Sequence, residues 1–131
     1  MLREVCFLID KGGAVLWSDA SRSPVALPDR RDRWEMIWQL REELAEISHS
    51  HPVGPAAFSA EDESTMDAID SALGRAVRYS VVAPRAMIVR DAGATFRLGR
   101  EPWWAGLLRL ASGMTRAARP GIDRQESTDR R

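Results

Sequence analysis

The chain has 131 residues, 44% of them hydrophobic and 29% charged, with 19 basic and 19 acidic side chains and a formal net charge of zero. That length and mixture suit a single folded domain, and the charge balance argues against an obligatory nucleic-acid or anionic-membrane partner. Cys6 is the only cysteine, which excludes an internal disulfide and fits a reducing compartment.

The N-terminal residues lack a basic segment followed by an apolar stretch, so no signal peptide is expected. No apolar run approaches the roughly 20 residues of a membrane span, and the expected location is cytoplasmic. All the basic residues but Lys11 are arginine, which reads as coding bias before function.

In chain order, Glu4–Ile9 is an apolar run that stops at Asp10-Lys11-Gly12-Gly13, and Ala14–Trp17 follows at once. Two apolar runs around a Gly-Gly predict a β-hairpin. The first run is apolar on both faces and should be a buried strand. Residues 18–28 are rich in Ser, Pro and Arg and predict a loop. A helix should follow with Asp29 as its N-cap, burying Trp34, Ile37, Trp38 and Leu44.

Ala45–His51 is the next extended stretch, ended by Pro52, and residues 52–58 form a loop with two prolines and a glycine. A second helix should start at Ser59, with an apolar stripe of Met66, Ile69, Leu73 and Val77 and with Gly74 inside it or near its end. Val77–Val89 predicts a strand pair broken near Ala83-Pro84-Arg85, and Ala94–Leu98 a further short strand. Trp103–Leu110 predicts a terminal helix, with one of Trp103 and Trp104 buried and its neighbour exposed. The folded domain should span residues 1–112, and residues 113–131 are rich in Arg, Asp, Ser and Thr and predict a disordered tail. The alternation of helices and strands predicts an α/β fold with a central mixed β-sheet flanked by helices.

Both histidines of the chain, His49 and His51, stand two residues apart in a predicted strand. Residues i and i+2 of a strand share a face, so the imidazoles can meet at one cation. Asp62 lies past a loop, in the first turn of the second helix, and can fold back towards them. Two His and one Asp are three protein ligands of the kind Zn²⁺ accepts, and that count leaves a fourth position open, as catalytic sites do. Glu43 and Glu46 also lie near the histidines, but Glu46 is odd-spaced from both and should point to the opposite face. Ser59 and Asp62 also match a helix capping box.

His49-x-His51, seven residues, Ser59, two residues and Asp62 resemble, without a gap, the signature of the JAMM (MPN-plus) zinc metalloproteases in their compact prokaryotic form. The resemblance covers roughly residues 3–100. It departs from the family pattern in two respects: no helix precedes the first strand, and Phe7 follows Cys6 where the family tends to have Gly. It implies a JAMM/MPN-like domain in which Zn²⁺ is held by His49, His51 and Asp62. It also implies that a Glu of the first strand, here Glu4, is the general base, and that Ser59 stabilises the oxyanion. The implied reaction is hydrolysis of an amide or isopeptide bond at the C-terminus of a ubiquitin-like or sulfur-carrier protein. In related enzymes the substrate tail pairs with a sheet edge near the site, and residues 18–33 are the candidate flap here. The alternative reading is a non-catalytic MPN-fold scaffold module. A third is a related domain of DNA-repair-associated proteins with a similar His-x-His-Pro motif, which the neutral charge disfavours.

Overall fold

The structure is a computed structural model, and it describes residues 1–114. The expected α/β architecture is present. Six strands and three helices follow the order β1 (Val5–Asp10), β2 (Val15–Ala20), α1 (Arg31–Gln39), β3 (Leu44–Ser50), α2 (Ala60–Leu73), β4 (Arg78–Val82), β5 (Met87–Asp91), β6 (Ala94–Arg97) and α3 (Trp103–Ala111). All strands join one mixed sheet in the order β2-β1-β3-β4-β5-β6. β3 and β4 pair parallel, with α2 as the crossover between them, and every other pair is antiparallel.

The doubly apolar β1 is buried on both faces because the sheet carries helices on both. Val5, Phe7 and Ile9 pack with Trp104 and Leu108 of α3. Cys6 and Leu8 pack with Ile37 of α1 and with Met66 and Ile69 of α2. The hairpin turn is built by Asp10, whose Oδ1 accepts from the Ala14 N–H at 2.9 Å, and by Gly13 at φ 87°, a left-handed conformation that favours glycine.

Several boundaries differ from expectation, each for a physical reason. β2 runs on to Ala20 because Val5 and Cys6 pair with Ala20 and Asp19, so the expected loop begins only at Ser21. Asp29 does not cap α1: the N-cap position is Arg30, with no side-chain hydrogen bond. Trp38 is 53% exposed rather than in the core, and the Arg41 guanidinium stacks 3.9 Å from its ring. Leu44 is buried, but as the first residue of β3.

α2 stops at a left-handed Gly74, so Val77 is buried from the following connection and not from the helix stripe. Trp104 is buried and Trp103 is 66% exposed, as α3's amphipathicity requires. Of the expected tail, Gly113 hydrogen-bonds back to α3 and Met114 is buried. The rest of the predicted tail lies outside the described residues. No helix among the described residues is long and apolar enough to cross a membrane.

Candidate metal centre

β1 and β3 bring three of the predicted residues together by register alone. Cys6 pairs with His49 across the two strands, so the even residues of β1 share a face with the odd residues of β3. Glu4, His49 and His51 therefore project side by side at the sheet's end, on the α1/α2 face. They form a group whose potential ligand atoms all lie within 4.8 Å of one another and which could hold a metal ion. His51 lies just past the end of β3, yet its N–H still donates to the Val82 carbonyl at 2.9 Å, which keeps the strand alternation going for one more residue.

Asp62 reaches the imidazoles from α2. Ser59 caps that helix: its Oγ accepts from the Asp62 N–H at 3.0 Å, and the Asp62 Oδ2 accepts from the Ser59 N–H at 2.8 Å. The capping box read from the sequence is thus present, and it turns the aspartate towards β3. Its Oδ1 lies 3.3 Å from His49 Nε2 and its Oδ2 lies 3.4 Å from His51 Nε2. The two Nε2 atoms are 3.1 Å apart. One Asp62 oxygen faces each ring, and two imidazole nitrogens with a carboxylate are a donor set whose chemistry suits a divalent cation such as Zn²⁺.

The tautomer fits as well. His51 Nδ1 lies 3.0 Å from the Pro55 carbonyl. A carbonyl only accepts, so Nδ1 must carry the proton, and in the neutral ring Nε2 then presents a lone pair. A backbone carbonyl on the distal nitrogen is the usual support of a ligating histidine. Sequence reasoning missed this contact, because a carbonyl in a Pro/Gly loop carries no side-chain signal.

The electrostatics follow from crowding. Burial pushes Asp62 up, but hydrogen bonds with His49 and His51 overcome it and hold the carboxyl well below the usual range. Burial lowers His51, and its bonds to Asp62 and the Pro55 carbonyl more than offset that, leaving it raised. Glu4 is raised: desolvation dominates, and the attraction of His49 and His51 does not cancel it.

Glu4 is 5% exposed and is not on a frayed end. Its N–H donates to the Ser23 carbonyl at 2.8 Å, and its carbonyl accepts from the Ser21 N–H at 2.9 Å. On one side the Arg3 N–H donates to the Ser112 carbonyl at 3.0 Å. On the other, the Val5 N–H donates to Ser50 Oγ at 2.9 Å.

Ser59 is exposed and lines one cavity with Glu4, His49, His51 and Asp62. The other two carboxylates near the histidines in sequence lie elsewhere. Glu46 faces the opposite side, where it accepts from Ser80 Oγ at 2.7 Å and is raised chiefly by burial. Glu43 sits in the exposed turn before β3, at the other end of that strand. Cys6 is a core residue whose thiol burial pushes up to about 12, which leaves it unreactive.

Beside the four polar residues lies a cavity of about 290 Å³, covered partly by the 24–29 segment of the expected flap. That segment is tied down by Arg33, which is buried on α1. Arg33 donates to both oxygens of Asp19 on β2, at 2.7–3.1 Å, and to the Pro28 carbonyl at 3.0 Å. No family model matches the chain, and no curated protein matches its sequence.

Proposed function

We propose that this chain is a zinc-dependent amide hydrolase with a JAMM/MPN-like domain, in which His49, His51 and Asp62 hold the ion. The observation that carries this reading is the meeting of two imidazole nitrogens and the Asp62 carboxylate, one oxygen facing each ring and 3.1–3.4 Å between neighbours, beside a buried glutamate. When bound, Zn²⁺ supplies Lewis acidity and draws the pKa of a water towards neutrality.

The remaining chemistry falls to the chain's own residues. Glu4, its carboxyl raised by desolvation and placed beside the two imidazoles, is the group positioned to exchange protons. It takes a proton from the attacking water at a carboxylate oxygen and returns it to the leaving nitrogen. The Ser59 hydroxyl accepts from the Asp62 N–H, and its own O–H finds no acceptor among the described residues. It is free to donate to the developing oxyanion. The resemblance of His49, His51, Ser59 and Asp62 to the JAMM signature points to an amide or isopeptide at the C-terminus of a ubiquitin-like or sulfur-carrier protein.

Elemental analysis of the purified protein, together with hydrolysis of conjugates of such carrier proteins, tests the reading. Wild type should bind one Zn²⁺ per chain and cleave. Glu4→Gln should keep the metal and lose cleavage. Metal-free protein, or a fully active Glu4→Gln, refutes it.

A further inference from the structure

Glu4 lies one residue outside β1, where the ladder with β2 has ended at the Val5–Ala20 pair. Its carboxyl has no hydrogen-bond partner among the described residues, so the carboxyl sits where its own backbone puts it. The peptide groups of Glu4 are held by the flap and not by a strand. The N–H donates to the Ser23 carbonyl at 2.8 Å, and the carbonyl accepts from the Ser21 N–H at 2.9 Å.

The Ser21 side chain sets the shape of that stretch. A hydroxyl has one proton, and here it is shared between the Ser23 carbonyl at 2.8 Å and the Ala26 carbonyl at 2.7 Å. The same Oγ accepts from the Ser23 N–H at 3.1 Å. The Ser23 carbonyl is also the one that receives the Glu4 N–H. Ala26 lines the cavity together with Pro24, Val25 and Leu27. One hydroxyl thus joins this roof to the acceptor that holds Glu4. The Ser23 hydroxyl takes no part in that link: its Oγ accepts from the Val25 N–H at 3.1 Å. Beyond the roof, Arg33 pins the segment at the Pro28 carbonyl.

Resting on the hydrolase reading, we propose that Ser21 is a positioning residue for Glu4. Its hydroxyl locks the cavity roof and the Glu4 backbone into one unit, which holds the roof over a bound amide in register with the carboxyl that moves its proton. Small errors in such a register are costly, since a misplacement of about 1 Å can lower a rate on the order of 100-fold.

Two readouts on the full chain test this, and only the second depends on the hydrolase reading. Amide hydrogen exchange followed by NMR, without added metal, reads the tie directly. Ser21→Ala should speed exchange at the Glu4 amide on the order of 10-fold. The amides of Leu8 in β1 and Val81 in β4 should keep their wild-type rates, which also shows the variant to be folded. Ser21→Thr keeps a hydroxyl and should restore protection of Glu4. Ser23→Ala removes only the Val25 contact and should leave Glu4 protected. In zinc-loaded protein acting on carrier-protein conjugates, Ser21→Ala should lower kcat on the order of 10-fold with a much smaller change in KM. Zinc content should stay at the wild-type level, and Ser21→Thr should recover most of the rate.

Wild-type exchange at Glu4 in Ser21→Ala overturns the proposal. Equal acceleration at Glu4, Leu8 and Val81 does so too, as does a Ser21→Thr variant that fails to restore protection. A loss of activity in Ser21→Ala that lies wholly in KM also overturns it. If the exchange rates behave as expected while wild type cleaves no conjugate, the hydrolase reading falls and the tie between roof and Glu4 stands.

Discussion

Zinc should stabilise this protein by an amount the geometry allows to be worked out. Two imidazole nitrogens and the two oxygens of the Asp62 carboxylate are held 3.1–3.4 Å from their neighbours in the folded chain, whereas the unfolded chain has no such arrangement, so the ion binds the native state almost alone. At a free zinc concentration 100 times Kd, that linkage contributes about 2.7 kcal/mol. The unfolding entropy is about 2.1 cal/mol/K per residue near 60 °C. Over the 114 described residues this comes to roughly 0.24 kcal/mol/K, so the melting temperature should rise by about 10 °C. His49→Ala removes one donor outright. If affinity falls about 1,000-fold, the same zinc concentration contributes less than about 0.1 kcal/mol, a shift under 1 °C. Asp62→Asn keeps an oxygen to accept from the Ser59 N–H, so the helix cap survives while the anionic ligand is lost. Differential scanning calorimetry with and without zinc reads all three. Equal shifts in wild type, His49→Ala and Asp62→Asn, or none in any of them, would refute the metal centre.

Other perturbations separate scaffold from site. Ser59→Ala should lower stability by about 1 kcal/mol through loss of the cap yet retain zinc, because the contact that orients Asp62 is the Ser59 backbone N–H; metal content and urea denaturation check both halves. Asp19→Ala leaves the Arg33 guanidinium buried without its partner and should cost about 3–5 kcal/mol, visible as a lower urea midpoint, whereas Asp19→Asn should cost less. Glu46 has its folded-state pKa raised by burial, so the native state holds the proton more tightly than the unfolded chain. Its contribution is fully present below the unfolded value near 4.5 and is lost as pH rises through the raised folded value. The stability of Glu46→Gln relative to wild type should therefore increase from pH 4.5 upwards, and a difference flat across that window would contradict the burial of this carboxyl.

Much of the centre was legible because it depends on short-range periodicity. His49 and His51 share a face by strand alternation, and the same rule puts Glu46 on the other side. The Ser59–Asp62 pair announced a helix start, and capping geometry is what turns the aspartate inward. The expectations that failed concern tertiary context. Trp38 fits the apolar stripe of α1, but its neighbour Ile37 is the residue of the last turn that reaches the core, and Trp38 is left exposed under the Arg41 guanidinium. Asp29 looked like a cap because Asp is a good one, but the Arg33 contact with the Pro28 carbonyl draws this segment into the flap anchor instead. The Pro55 carbonyl, the Arg33–Asp19 pair and the cavity arise from contacts between elements, which no local pattern encodes.

The even residues of β3 carry a role that the odd ones depend on. Ser50 stands between the two histidines and faces the α3 side, where its Oγ accepts from the Val5 N–H and meets Ser112 Oγ at 2.6 Å. The Ser112 carbonyl in turn holds the Arg3 N–H. One chain of contacts thus fixes the backbone on both sides of Glu4 to the strand that carries the histidines and to the end of α3. Gly113 completes it: at φ 83° it sits where an added Cβ would collide with the Met1 carbonyl, so that only glycine lets the N-terminal segment cross there. Gly113→Ala should displace residues 1–3 and loosen Glu4 without touching a metal ligand. The expected outcome is normal zinc content, a loss of at least about 1 kcal/mol in stability, and a fall in kcat larger than any change in KM. Reduced zinc content with unaltered kcat per bound zinc would mean that the N-terminal crossing supports the histidines rather than the glutamate.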